Sequence, residues 1–249
     1  MKKIRRLITY MLRGPDLPPP GPKDFFHADY YLRHNARRLE HLASLRIPVA
    51  GMKVLEVGAG IGDHSGYYLD RGCKMTITEA RKENLEILRQ RYPEETILLL
   101  DMEHPSAVPG APFDVVHCYG LLYHLNNPTQ GLGFLSAHCR SLLILETCVS
   151  FGSGLHENRI GEELRDFTQA ISGAGCRPTR PWVFAELKRH FPFVYCSRTQ
   201  PNHDEFPTDW NTPEKHKFAL QRSVFVASRA PLDNQELVSH LPDVQPRQI

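Results

Sequence analysis

Between residues 53 and 149 short apolar runs alternate with segments in which apolar residues recur every three or four positions. The runs Lys53–Val57, Lys74–Thr78, Thr96–Leu100, Asp114–Cys118 and Ser141–Thr147 have the length and the Val, Ile, Leu and Thr content of strands. The segments between them predict helices over Asp63–Arg71, Lys82–Arg91 and Pro128–Cys139, with Gly72 and Pro93 standing where helices stop. Mostly apolar strands separated by helices make a parallel sheet covered on both faces. Upstream, Phe26, Tyr30, Ala36, Leu39, Leu42 and Leu45 follow a roughly helical spacing, with arginines on the other side. Downstream the pattern changes. Residues 151–179 are glycine-rich at both ends around an amphipathic middle, Glu162–Ile171, and read as an inserted flap. Pro181–Phe191 predicts a helix with proline at its start, and Phe193–Ser197 and Ser223–Ser228 predict two more strands. The long loop between those strands, TQPNHDEFPTDWNTPEKH, has the length of a functional one.

These patterns divide the chain into a basic, proline-rich tail (1–22), one domain (23–231) and a polar C-terminal tail (232–249). The domain carries a helical cap (23–48) and the insertion (151–180). With 249 residues, 41% of them hydrophobic, there is material for a sizeable core. The net charge of +2 gives no strong pull toward nucleic acid. Six scattered cysteines without a CxxC pair suit a reducing, cytoplasmic setting and no metal knuckle. Adjacent His203, Asp204 and Glu205 rarely converge on one ion, so no metal is expected. No stretch reaches the ~18 apolar residues of a membrane span. The opening MKKIRRLITYMLRG reads as a cationic tail; weak interfacial adhesion through Lys2, Lys3, Arg5 and Arg6 beside Ile4, Leu7 and Ile8 is the alternative.

The stretch VLEVGAGIGDHS, Val54 to Ser65, runs a strand into glycines 58, 60 and 62. Such a turn lets backbone approach a ligand that a Cβ would exclude. A dinucleotide fingerprint needs a third glycine where Asp63 stands, and an acid there repels pyrophosphate. A ligand with a cationic end and no phosphate, such as S-adenosylmethionine, suits the turn better. Glu56 can face its ammonium, Glu79 after the second strand can accept both ribose hydroxyls, and Asp101 and Met102 after the third can meet the adenine.

These pieces resemble the class I S-adenosylmethionine-dependent methyltransferases. EVGAGIG is similar to their first motif, TEA to the second, LLLDME to the third and FDVVHCYGLLYHLNNP to the fourth, over roughly 51–149. The resemblance implies a Rossmann-like, seven-stranded, mostly parallel sheet with one antiparallel strand and helices on both faces. It implies a cofactor site of Glu56, Gly58, Ala59, Gly60, Gly62, Glu79, Ala80, Asp101, Met102 and Tyr119. GLLYHLNNP with LETCVS is also similar to enzymes that modify wobble uridine in tRNA with a carboxylated cofactor.

Methyl transfer from sulfonium is an in-line displacement, and a hydroxyl acceptor must also lose its proton. The reacting groups should follow strands four and five, which singles out His124 as base, Glu146 to orient an imidazole or bind substrate, and Tyr123. In the family a leading helix often closes over the cofactor, so Tyr30, Arg33, His34 and Arg37 are expected to face the site. The clusters RPTRPW and TQPNHDEFPTDW contribute Arg180, Trp182 and His203 as acceptor contacts. The expectation is methyl transfer to a small polar acceptor, at oxygen. The alternatives are a tRNA-modifying methyl or carboxymethyl transferase and a non-catalytic partner subunit.

Overall fold

The computed structural model describes residues 20–164 and 166–248; the basic N-terminal segment and its two readings lie outside them. The cap is two helices, α1 (Pro22–Phe26) and α2 (Asp29–Ser44), with a break at His27 and Ala28 where one was expected. The alternating region gives β1 (Lys53–Val57), α3 (Ser65–Leu69), β2 (Lys74–Glu79), α4 (Lys82–Arg91), β3 (Thr96–Leu99), β4 (Phe113–Tyr119), α5 (Pro128–Ala137) and β5 (Cys139–Val149). Then come a small hairpin of β6 (Arg159–Gly161) and β7 (Ala174–Cys176), α6 (Arg180–His190), β8 (Phe193–Ser197), β9 (Gln221–Ser228) and β10 (Leu237–Val238). α3 starts two residues later than its sequence pattern suggests, because Gly62 at φ +82° holds a turn that no helix continues through.

The main sheet is ordered β3-β2-β1-β4-β5-β9-β8-β10. β3, β2, β1, β4 and β5 are parallel; β9 runs antiparallel to β5, and β8 antiparallel to β9. These seven strands make the mostly parallel sheet with one antiparallel strand, here β9, that the resemblance implies. An eighth strand, β10, adds to the edge antiparallel to β8. The strand comes from the segment read as a polar tail. That segment is fastened by Gln245, fully buried, which accepts from Arg180, Gln200 and Trp210 and donates to the Ser197 carbonyl.

Period-two alternation sorts the side chains into two cores. Leu55, Val57, Val116, Leu143 and Phe225 pack with Leu132 and Leu135 of α5 and Val183 and Leu187 of α6. Val54, Ile77, Val115, Ile144 and Val226 pack on the other face with Leu42 of α2, Tyr68 of α3 and Leu85 and Leu88 of α4. On this second face the same side-chain rows turn polar toward the carboxyl ends of the parallel strands. Glu56 follows Val54, His117 and Tyr119 follow Val115, and Glu146 follows Ile144. Arg222 continues the row on β9, and every one of these polar residues is buried. The cap helices roof this polar end.

Candidate cofactor and acceptor site

The cleft lies where the polar ends of β1, β2 and β4 meet the roof, and holds about 960 Å³ of atom-free space, partly open to solvent. Of the expected cofactor residues, Glu56, Gly58, Ala59, Gly60, Glu79, Ala80, Asp101, Met102 and Tyr119 all line it. Gly62 does not. A Cβ on Gly62 would stand 2.5 Å from the Tyr92 ring and 2.7 Å from Leu88, so this glycine serves the packing of α4. Gly60, at φ +59°, has the Phe26 ring 2.8 Å from its ideal Cβ position, so α1 closes directly onto the glycine turn.

Glu79 is held by backbone: Gly60 N–H donates to Oε2 at 2.8 Å and Arg81 N–H to Oε1 at 2.9 Å. Burial raises its pKa against those hydrogen bonds. Glu56 accepts from the Ser65 hydroxyl at 2.5 Å, and burial pushes its pKa up to about 7. Asp101 accepts from the Glu103 N–H at 2.9 Å and lies 3.3 Å from His104. Asp63 is not a helix cap. It pairs with Arg91 at 2.6 Å and accepts from Asn35 at 3.2 Å, tying α4 and α2 together at the cleft.

The roof contributes Phe26, Tyr31, Asn35 and Arg38. Positions 31, 35 and 38 form one helical stripe, and the expected Tyr30, Arg33, His34 and Arg37 lie off it. None of these four lines the cleft. Tyr30 donates to Glu205, and Glu205 is also bonded by Arg222 Nε at 2.8 Å. The buried His34 ring packs 4.8 Å from His203. Arg33 reaches the half-exposed Asp204 at 3.6 Å, and Arg37 pairs with Glu40 on the surface. His34, His203 and Glu205 bring three potential ligand atoms within 4.8 Å of one another. However, both Glu205 oxygens accept from protein donors, and His203 Nδ1 lies 3.3 Å from the Glu205 amide. Arg180 and Trp182 also lie away from the cleft; Arg180 bonds Pro242 and Gln245 of the C-terminal segment.

Glu146, fully buried, is bound by Arg38 Nη2 at 2.6 Å and Arg222 Nη1 at 3.0 Å, so it joins the roof to β9 rather than meeting an imidazole. The Tyr123 hydroxyl accepts from Arg222 at 3.2 Å and also lies off the cleft. His124 does line it, on the 3-10 turn Leu122–His124. Its Nδ1 is bonded to a carboxylate absent from the expected set, Glu162 of the insertion. Burial lowers the His124 pKa and Glu162 restores only part of it, so the ring is neutral near pH 7. Glu162 and the residues Phe167–Ser172 that cover the cleft come from a segment whose amphipathic pattern marks a flap without showing where it folds.

The donor set fits S-adenosylmethionine. Glu56, Glu79 and Asp101 offer acceptors for an ammonium, a diol and an amine, and no phosphate cradle is left beside Asp63. Two polar atoms of the cleft residues, the Tyr119 hydroxyl and His64 Nε2, are buried without a hydrogen-bond partner among the described residues. Residues 27–195 match the protein family described as "Methyltransferase domain". The chain belongs to the S-adenosylmethionine-dependent methyltransferases. This methyltransferase is 28% identical over 163 residues to a ubiquinone biosynthesis O-methyltransferase of Xylella fastidiosa, covering 63% of the chain and 58% of that protein. It is 32% identical over 125 residues to a tRNA U34 carboxymethyltransferase of Actinobacillus pleuropneumoniae, covering 47% of the chain and 37% of that protein. The chain thus matches little more than half the length of the first relative and well under half of the second. In fold it is similar to the N-terminal domain of EvdMO1 crystallised with SAH and D-fucose (TM-score 0.59, 17% identity, 91% of this chain and 96% of that one). It is also similar to magnesium protoporphyrin IX methyltransferase of Synechocystis (TM-score 0.54, 14% identity, 90% and 91%). Among the described residues no helix is long and apolar enough to cross a membrane.

Proposed function

We propose that this methyltransferase acts on a hydroxyl oxygen of a small polar acceptor, with His124 as general base. The observation that carries the reading is the His124 ring itself: it lines the cleft, its Nδ1 is bonded to Glu162, and its Nε2 has no hydrogen-bond partner among the described residues. An imidazole with Nδ1–H donated to a carboxylate keeps its Nε2 lone pair for a proton. S-adenosylmethionine, when bound, supplies a methyl carbon made electrophilic by its sulfonium. Glu79 is assigned to the ribose hydroxyls, Asp101 and Met102 to the adenine, and Glu56 to the ammonium. The flap excludes water from the reacting end, and His124 takes the hydroxyl proton as the new bond forms. The similarity to a ubiquinone biosynthesis O-methyltransferase supports oxygen as the acceptor atom.

A second reading, carboxymethyl or methyl transfer to tRNA, draws on the similarity to tRNA U34 carboxymethyltransferases. Against it, Glu146 and Glu205 neutralise the buried Arg222, and Glu146 also pairs with Arg38, so both of these arginines are committed to protein carboxylates rather than to a cofactor carboxylate.

Release of S-adenosylhomocysteine with 3,4-dihydroxybenzoate, a free monosaccharide, a hydroxy acid and bulk tRNA as acceptors tests both readings. Turnover with a small hydroxyl compound is expected. His124→Gln should cut that turnover about 10²-fold while cofactor affinity, read by calorimetry, stays the same. Turnover restricted to tRNA would replace the first reading with the second.

A further inference from the structure

The insertion between β5 and α6 does more than cover the cleft. Residues 167–172, between β6 and β7, line the cleft, and the insertion is held there by a set of specific contacts. Arg81, at the start of α4, donates from Nη2 to the carbonyls of Gln169 at 3.0 Å and Leu164 at 3.3 Å. The Phe167 ring meets Phe25 of α1 at 5.4 Å, and Ser172 donates to Glu103 at 3.2 Å. Inside the flap Glu162 is almost fully enclosed. Ala170 N–H donates to its Oε2 at 2.8 Å, and both terminal nitrogens of Arg177 lie 3.3 Å from its Oε1. The remaining bond of that carboxylate goes to His124 Nδ1. Gly175 makes the approach possible: a Cβ there would stand 2.6 Å from the Tyr123 carbonyl and 2.9 Å from Glu162 Oε1.

We propose that Glu162 is the positioning residue for His124, so that the base is complete only when the flap lies on the cleft. This rests on the reading of His124 as the base. Three donors other than His124 fix the Glu162 carboxylate, so it imposes an orientation on the ring rather than following it. Glu162 also selects the tautomer: with Nδ1–H donated to the carboxylate, Nε2 carries the lone pair. The alternative tautomer, with Nε2–H, presents a donor to the acceptor hydroxyl and cannot take its proton. Although burial opposes the charge of Glu162, His124, Ala170 N–H and Arg177 hold its pKa below the usual carboxylate range, so it is ionised at neutral pH. Binding and base chemistry are thereby joined in one segment. A substrate that holds the flap closed assembles the base beside its own hydroxyl.

The test is histidine ¹⁵N NMR on the full chain saturated with S-adenosylhomocysteine, with His124 assigned from the His124→Gln spectrum. The wild type is expected in the Nδ1–H tautomer. Glu162→Ala should move His124 to a mixed or Nε2–H tautomer, and Glu162→Gln, which keeps an acceptor but no charge, should retain the tautomer and lower the pKa. Loss of S-adenosylhomocysteine binding in calorimetry would mark an unfolded variant, and Glu162→Gln then carries the test. An unchanged His124 tautomer in Glu162→Ala, or an unchanged His124 pKa in Glu162→Gln, overturns the proposal. Methyl transfer to 3,4-dihydroxybenzoate separates the two layers. A kcat at least 10-fold lower in Glu162→Ala, with cofactor KM unchanged and partial recovery in Glu162→Gln, supports the positioning role. A loss confined to His124→Gln removes Glu162 and keeps the base. Full activity in His124→Gln removes the base reading itself.

Discussion

Glu79 and Glu146 are both buried carboxylates at the carboxyl ends of sheet strands, and they are held in contrasting ways. Glu79 accepts from the backbone N–H groups of Gly60 and Arg81, both in loops that leave strands β1 and β2. Glu146 accepts from two arginine side chains, Arg38 of α2 and Arg222 of β9, respectively 108 and 76 residues away in sequence. The first arrangement follows from chain connectivity, because a parallel sheet sets the loops after neighbouring strands side by side. The second exists only once the roof and the final strands are in place. Backbone donors leave Glu79 able to serve a ligand as well, whereas two guanidinium groups commit Glu146 to joining parts of the fold.

The largest effect expected from this contrast is on stability. Glu146→Ala would leave Arg38 and Arg222 buried without that partner, so urea unfolding should show a loss of about 3–5 kcal/mol. A loss below 1 kcal/mol would mean the arginines find other partners and the contrast fails.

Glu56 gives the next effect. Its folded-state pKa of about 7 lies above the ordinary 4.5, so the folded protein keeps a proton that the unfolded chain has released. The resulting stabilisation is present in full below about pH 4.5 and is lost as pH rises through 7, a change of up to about 3 kcal/mol at 1.36 kcal/mol per pKa unit. Denaturant titrations from pH 5 to pH 8 should show this slope, flattened in Glu56→Gln. The same slope in both proteins would assign it to other groups.

Glu79→Ala should weaken S-adenosylhomocysteine binding by about 10–100-fold, the range for hydrogen bonds to a charged group, while stability falls less than in Glu146→Ala. Calorimetry and unfolding on one preparation read both quantities, and the opposite ranking would reverse the comparison. The smallest effect belongs to Arg33→Ala. Arg33 is exposed and only loosely paired with Asp204, so stability and methyl transfer should change by no more than about 0.5 kcal/mol. A larger fall in turnover would restore Arg33 to the acceptor site.

The same contrast explains what was legible in the sequence. The alternation of strands and helices, the parallel sheet and the acids at strand ends follow from local patterns, since a polar residue closing an apolar run already sits at the carboxyl edge. The glycine turn was legible as a unit, but the separate role of Gly62 depends on Tyr92 and Leu88, which only the folded chain brings beside it. On α2 the helical spacing was readable and the face toward the cleft was not. Tyr30 and Tyr31 both suit a site, and the burial of Asn35 and Arg38 decides between them. Glu162 stands 38 residues from His124, at the start of an amphipathic stretch whose pattern says that it packs but not against what, so nothing local linked the two. The C-terminal segment looked like a tail because much of its anchorage is polar: beside Leu237 and Val238, which enter the cores, Gln245 is held in the interior by hydrogen bonds.

The flap leaves and rejoins the scaffold at almost one point. Ser150 N–H donates to the Pro178 carbonyl at 2.9 Å, and Ser150 bridges to Thr179. A loop whose two ends already touch can be lengthened, shortened or exchanged at a closure cost that rises only logarithmically with its length. This single cassette can therefore change in length or sequence while the sheet and the glycine turn stay as they are.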